Sequence, residues 1–568
     1  MRQLWIQLVR AITAAHDCGI NLGDLSFTNI LVNEGQIKIC DLETASRKGS
    51  DTQVGLHTPG MSTFGISDQA NDYYALGAIM LGSIMLVHGF TGFYQSSRDF
   101  FLNELANDLN LPSDLVALIN GLMDRPEHFK ETPDLTIKSI EQLPFNIFTA
   151  SCCTPRLSLP IEQRFDMHRR GELRSRVREV VNAIICYLHG VADTAREDRL
   201  FPADLWVFET NPLSIAYGAM GVLYALHHLG SKVPTHLMEW VLQHPISNDE
   251  YPPGLYLGQA GISWVLSELG YLEFAVKTMR SARRHDTLWQ SPNVLHGAAG
   301  YGLACLNLWQ KGAGNEFLDE AVQVGKYLFA SCVSDERGVY WPNENSAVAI
   351  GYAYGGSGIA LFLLYLALAT GDSNQFQLGR QALDFDLAQG VWLDGKFAGF
   401  PSSITTGSEL PDTASLNCYW DVGSAGIGTA LVRYLAVTSD PILQDWLEPL
   451  VSDASRKYTA FPQLFRGLAG LGNFLLDVWH QTGNERHLLA AWHVAEGVLL
   501  FQIDCQEGVA FPGEQTRRES ADFATGAAGV GLFLSRLLKS EKSIQGNFNF
   551  VIDELLSCSS VFDKFNKY

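Results

Sequence analysis

The stretch that decides the fold is His296–Cys305, HGAAGYGLAC. Two glycines three apart run straight into an apolar segment, as where a backbone turns tightly and then enters a buried helix. Alone the stretch means little. The same spelling recurs as YGAMGVLYAL from Tyr217, LGQAGISWVL from Leu257, YGGSGIALFL from Tyr354, VGSAGIGTAL from Val422, RGLAGLGNFL from Arg466 and TGAAGVGLFL from Thr525. That makes seven copies, 39 to 68 residues apart, and such phasing marks a repeat architecture. The first glycine allows a tight loop where backbones crowd, and the second lets a helix start pack closely on its neighbour. Amphipathic segments between the copies, such as Glu316–Ala330 and His487–Phe501, read as outer helices. The expected fold is mainly α, with an α/α toroid of seven inner plus seven outer helices over residues 201–540.

The bulk numbers agree with a folded chain. Of 568 residues, 47% are hydrophobic and 18% charged, enough for a large core. A net charge of −21 repels nucleic-acid backbones, so no nucleic-acid partner is expected. The ten cysteines show no C-x-x-C spacing and read as reduced thiols of a cytoplasmic protein. The longest apolar run, Ala75–Val87, has thirteen residues, too short to span a bilayer. At the N-terminus, Leu4, Leu8, Ile12 and Ala15 recur at helical spacing, which favours an amphipathic helix over a secretory signal.

The front of the chain carries a different pattern. His16–Glu43 reads HDCGINLGDLSFTNILVNEGQIKICDLE. Asn29 follows Asp24 across a tight loop, and ILV and QIKI joined by NEG read as a hairpin that returns Asp41 beside them. The order resembles the catalytic and metal-binding loops of the protein kinase family, carried by His16, Ile20, Asp24, Leu25, Asn29 and Asp41. That resemblance implies Asp24 as the base for a substrate hydroxyl, and Asn29 and Asp41 as magnesium ligands for Mg-ATP. DYYALGAIML (Asp72–Leu81) resembles the kinase helix that begins with a buried Asp, and LINGLMDRPEHF (Leu118–Phe129) the last kinase helices. Residues 1–140 are thus expected to be a protein-kinase-like C-terminal lobe. Leu22-Gly23, Ser26 and Leu42-Glu43 depart from the family's His-Arg, Lys and Phe-Gly. A glycine-rich loop, strand lysine and helix glutamate do not precede this stretch, so kinase activity is expected only if those parts are supplied.

The G-D-L-S, N-I-L-V and D-L-E spellings look like the kinase domains of lanthionine synthetases. The toroid resembles their LanC-like cyclase domain, and DRLFPADLWVFETNPLSIAYGAMG (Asp198–Gly221) looks like its start in fused kinase-cyclase enzymes. The resemblance covers most of the chain. It implies a ribosomally made precursor peptide, with a leader and a Ser/Thr/Cys core, as partner. In that family a kinase phosphorylates Ser or Thr, a separate lyase eliminates phosphate, and the cyclase adds Cys thiols to the dehydrated residues.

The resemblance also places the site. Zinc-dependent members hold zinc with the Cys of C-x-G-x-x-G and the pair of C-H-G-x-x-G. Here those positions fall on Asp421, Phe465 and Arg466, and Cys418 lies three residues off. No zinc is therefore expected, which points to the zinc-independent group that makes lanthionine or labionin rings. His296 matches the family's H-G-x-x-G histidine, the implied acid/base; the other reading is a histidine that caps a helix start. Tyr217, Tyr354, Asp421 and Arg466 occupy pre-glycine positions and are expected to line the same mouth, with Arg466 holding an enolate or a carboxylate. Residues 141–200, with Cys152-Cys153, read as a linker and lead-in helix, and 541–568 as a tail. His227 and His228 point apart on a helix and make a poor metal pair. Two functions remain open: a cyclase, and a non-catalytic precursor-peptide-binding module with a relic kinase lobe.

Overall fold

The structure, a computed structural model, describes residues 1–49, 57–143, 167–406, 414–540 and 552–557. The Cys152-Cys153 linker and most of the expected tail lie outside the described residues. The chain divides into two compact units. One is Met1–Arg164 with Tyr458–Ala460 and Gln515–Arg518; the other is Phe165–Lys457, Phe461–Glu514 and Glu519–Tyr568.

In the first unit, the helix Arg2–Asp17 buries Trp5, Ile6, Leu8, Val9 and Ile12, one apolar stripe. Strands Ile30–Asn33 and Gln36–Ile39 pair antiparallel, with Ile30 opposite Ile39. Glu34 and Gly35 both have positive φ, 49° and 75°, which matches the twist of a two-residue hairpin. The helix Asp68–Ile84 is buried along most of its length and packs on Ser113–Asp124 and Pro126–Glu131.

In the second unit, each motif opens an inner helix: Ala219–His228, Gln259–Glu268, Ala298–Gln310, Gly356–Thr370, Ser424–Leu435, Leu468–Thr482 and Ala527–Ser540. Each touches the next, and the first touches the last, so the ring closes. Inner helices pack on both sides, and Gly356–Thr370 is accordingly buried on every face from Gly356 to Leu368. The outer helix Leu272–Ala282 is one-sided and buries Ala275, Thr278, Met279 and Ala282, a single stripe at helical spacing.

The glycine spacing has a steric cause. A Cβ on the second glycine of each motif would stand 1.8 Å (Gly261) to 2.2 Å (Gly470) from the carbonyl oxygen six residues earlier. It would also strike the preceding repeat: Trp420 at Gly470, Leu464 at Gly529 and, across the closure, Phe523 at Gly221. No side chain fits there.

A belt of backbone hydrogen bonds links the repeats. The N–H of Ala216 donates to the carbonyl of Tyr256, Tyr256 to Leu295, Leu295 to Ala353, Ala353 to Asp421, Asp421 to Phe465, Phe465 to Ala524, and Ala524 back to Ala216, at 2.9 to 3.2 Å. Every member stands two residues before the first glycine of its motif. The belt satisfies loop backbone that crowds the ring axis, away from any helix or strand.

Two boundaries differ from the expectation. The second unit begins at Phe165 rather than 201. The helix Met167–Gly190, expected as a lead-in, is the outer partner of the last inner helix, Ala527–Ser540. It buries Val177, Val180, Ile184, Tyr187 and Leu188. The glycine spelling marks only inner helices, so an outer helix that precedes the first motif goes unannounced. The short segment Ile552–Ser557, expected in a tail, packs on Gly356–Thr370.

Candidate active site

The residues just after the belt line its outer side. Tyr217, Tyr354, Asp421 and Arg466 share one cavity of about 190 Å³ with Trp206, Phe465 and Glu514. The structure thus brings together the four expected mouth residues. Asp421 differs in register: it stands two residues before Gly423, and the others one before their glycine. It is therefore a belt member itself, with its side chain 5% exposed.

The mouth is organised around one cation. Arg466 Nε donates to Asp421 Oδ2 at 2.6 Å, and its Nη1 lies 3.5 Å from Glu514 Oε1. Burial raises the Asp421 carboxyl above the usual range even against the pull of Arg466. Arg466, opposed by its own desolvation, is held above its usual value by Asp421 and Glu514. Its side chain stays 49% exposed, so a fixed guanidinium faces the opening. Trp206 Nε1 anchors Glu514 from behind at 2.8 Å, and the Glu514 N–H donates to Asp204. Burial, reinforced by Asp522, pushes Asp204 up to about 6. Burial likewise raises Tyr217 and Tyr354.

His296 is not among the residues lining this cavity. Its ring meets Tyr354 edge-on, centroids 6.0 Å apart. Its N–H donates to Asn293 Oδ1 at 3.1 Å, and Asn293 Nδ2 lies 3.4 Å from its Nε2. Burial lowers its pKa, which favours a neutral imidazole able to accept a proton. Sequence reasoning missed Glu514 and Trp206. Trp206 lies inside the quoted entry stretch, but Glu514 sits between motifs and carries no repeat spelling.

On the inner side of the belt lies a second chamber of about 100 Å³, lined by Tyr256, Trp420, Arg433, Asp477 and Arg536 among others. Tyr256 meets Trp420 and Phe465 edge-to-face, and Trp420 and Phe465 tilt against each other, with centroids 5.1 to 5.6 Å apart. Tyr256 and Phe465 are belt members and Trp420 precedes one, so this cluster stands between chamber and mouth.

Residues 209–550 match the family described as lanthionine synthetase C-like protein. The chain belongs to that family. A curated relative, the probable SapB synthase of Streptomyces coelicolor, is 31% identical over 363 residues, 61% of this chain and 36% of the relative. The chain therefore spans about a third of that relative's length. Among solved structures, nisin cyclase covers 70% of this chain and 99% of its own, at 14% identity and a TM-score of 0.48. The Lin0763 protein from Listeria innocua covers 51% and 85%, at 11% identity and a TM-score of 0.35.

Of the three positions where the resemblance puts zinc ligands, Asp421 is engaged by Arg466, a guanidinium would repel a dication, and Phe465 has no donor. Cys418 is buried, and burial pushes its thiol up to about 12, away from the thiolate a metal needs. Among the described residues no group of three His, Cys, Asp or Glu could hold a metal ion. Of the three positions only Asp421 carries a side chain that a zinc ion could use, and Arg466 occupies it.

The front-unit residues form a separate cluster. Asp24 accepts from the Thr58 N–H at 2.8 Å and from the Thr58 hydroxyl at 2.9 Å. Asn29 Nδ2 donates to the Asp24 carbonyl at 2.8 Å, and its own carbonyl accepts from Cys40 N–H at 2.9 Å. That second bond sets Asn29 beside the residue preceding Asp41, which adopts φ 55°. Asp72, wholly buried, accepts from the N–H groups of Leu22 and Gly23 and pairs with His16 Nε2 at 2.8 Å. No helix among the described residues is long and apolar enough to cross a membrane.

Proposed function

We propose that the ring closes thioether rings in a ribosomally made precursor peptide by adding Cys thiols to dehydrated Ser and Thr residues. The observation that carries this reading is the half-exposed guanidinium of Arg466, fixed at the mouth by Asp421 and Glu514. Addition of a thiolate to a dehydroalanine Cβ places negative charge on the neighbouring carbonyl oxygen. A preorganised cation is the group that stabilises such charge. His296 takes the thiol proton, the sulfur–carbon bond forms, and a proton returns to Cα. The step needs no zinc, in keeping with the donor set.

The front unit is read as a kinase-like C-terminal lobe with Asp24 as base and Asn29 and Asp41 as ligands of Mg-ATP. What supports this is the buried Asp72, which holds the loop ahead of Asp24 by two backbone N–H groups. A second reading, a precursor-peptide-binding module without catalysis, is favoured by the missing metal ligands.

The test uses the full chain and a pre-dehydrated, Cys-containing peptide. Loss of free thiol and ring mapping by fragment mass spectrometry should show closure above the no-enzyme rate. His296→Ala should lower that rate by about 10²–10⁴-fold. Closure at the no-enzyme rate with the wild-type chain decides for the binding module. An unaffected His296→Ala variant removes the histidine from the chemistry.

A further inference from the structure

The segment Ile552–Leu556, IDELL, belongs to no glycine motif, yet it is held inside the second unit. Ile552, Asp553, Leu555 and Leu556 are buried, and Glu554 is exposed. Asp553 faces Arg433 along one guanidinium edge, Nε at 3.1 Å and Nη2 at 3.0 Å, and accepts from the Tyr365 hydroxyl. Tyr365 and Arg433 stand on two neighbouring inner helices, each seven residues past the second glycine of its motif and so about two turns down the helix from the mouth.

The ring aims this guanidinium beforehand. Arg433 is 2% exposed, and its Nη1 is held by Asp477 at 2.8 Å and by the Thr429 carbonyl at 3.0 Å. Asp477 is fixed in turn by Arg536 at 2.5 Å. One edge of Arg433 is thus locked by groups of the ring, and the other is presented to Asp553. A planar edge in a buried pocket selects a carboxylate in a fixed orientation. Leaving it unpaired is strongly unfavourable. The flanking buried Ile and Leu side chains add an apolar requirement on either side of the carboxylate.

We propose that this is a peptide-binding site of the ring, selective for an apolar–Asp–x–apolar–apolar segment, with the chain's own Ile552–Leu556 as its ligand in cis. Arg433 and Asp477 also line the inner chamber, so the site adjoins it. A second peptide of the same chemistry competes for the site only when the chain's own segment is out.

The experiment uses the full chain and a labelled synthetic peptide, FVIDELLS, copied from residues 550–557. Asp553→Asn should speed amide exchange across 552–557. That variant should also bind the peptide at least about tenfold more tightly than the wild type, whose site is filled. A peptide carrying Asn in place of Asp should bind neither protein. Equal peptide binding by wild type and Asp553→Asn overturns the proposal, as does unchanged exchange at 552–557. Should Asp553→Asn fail to fold, Tyr365→Phe reads the same contact. It should speed exchange at 552–557 while the inner helices keep their protection, and unchanged exchange there overturns the proposal too.

Discussion

The two candidate sites are assembled at different ranges along the chain. At the front, Asp24 is met by Asn29, five residues on, and by Thr58, thirty-four residues on. At the ring mouth, Arg466 and Asp421 are 45 residues apart, and Trp206 reaches Glu514 across 308. The front site is therefore a local construction that one buried carboxylate, Asp72, steadies. The mouth exists only because seven repeats close. Damage to closure should erase the mouth altogether, whereas damage at the front should stay graded.

The strongest test of that difference is Gly426→Val. Its side chain would enter the 2.0 Å gap to the Trp420 carbonyl. A loss of at least about 4 kcal/mol, with the ring's cooperative melting transition gone in calorimetry, is expected. A ring that keeps its melting temperature would break the claim that closure builds the mouth. Next comes Asp72→Ala, which strips a wholly buried acceptor from the Leu22 and Gly23 N–H groups and from His16. It should cost about 3–5 kcal/mol in denaturant unfolding and raise amide exchange across 20–30. Wild-type exchange there would show that the loop holds itself.

Asp386 sharpens the comparison by pH. It is buried beneath the fourth inner helix, accepts from Ser357 and Gly351, and burial pushes it up to about 7. The folded ring therefore binds this proton more tightly than the unfolded chain, where an aspartate titrates near about 3.9. Its contribution favours folding fully below about pH 4 and fades as the pH rises through about 7. The stability of wild type relative to Asp386→Asn should fall across that window, and a flat difference would contradict the assignment. The smallest effect is expected from Thr58→Ala, about 1 kcal/mol in unfolding, because the Thr58 backbone N–H still reaches Asp24. A larger loss would mean that the front loop depends on one hydroxyl.

Much of this was legible in the residues. The seven motifs mark the seven inner helices, because only glycine tolerates a carbonyl within about 2 Å of its missing Cβ. The hairpin after Asn29 was spelled by N-E-G, whose central residues take the positive φ such a turn needs. Tyr217, Tyr354, Asp421 and Arg466 were found from their places beside those glycines. The rest was hidden for a physical reason. Glu514 and Trp206 meet where the last repeat closes on the first, and a carboxylate or an indole at the start of a helical turn of three or four residues has no period to betray it.

The amino-acid sequence by itself determined the count and phase of the inner helices and the residue types at the mouth. These follow from local sterics and from apolar spacing, both readable one segment at a time. Tertiary structure alone decided the rest: the backbone belt, the return of Met167–Gly190 as the last outer helix, and the seating of Asp553 on Arg433. Each of these joins residues far apart in the chain, and such pairings form only once closure brings their backbones and charges within hydrogen-bonding distance.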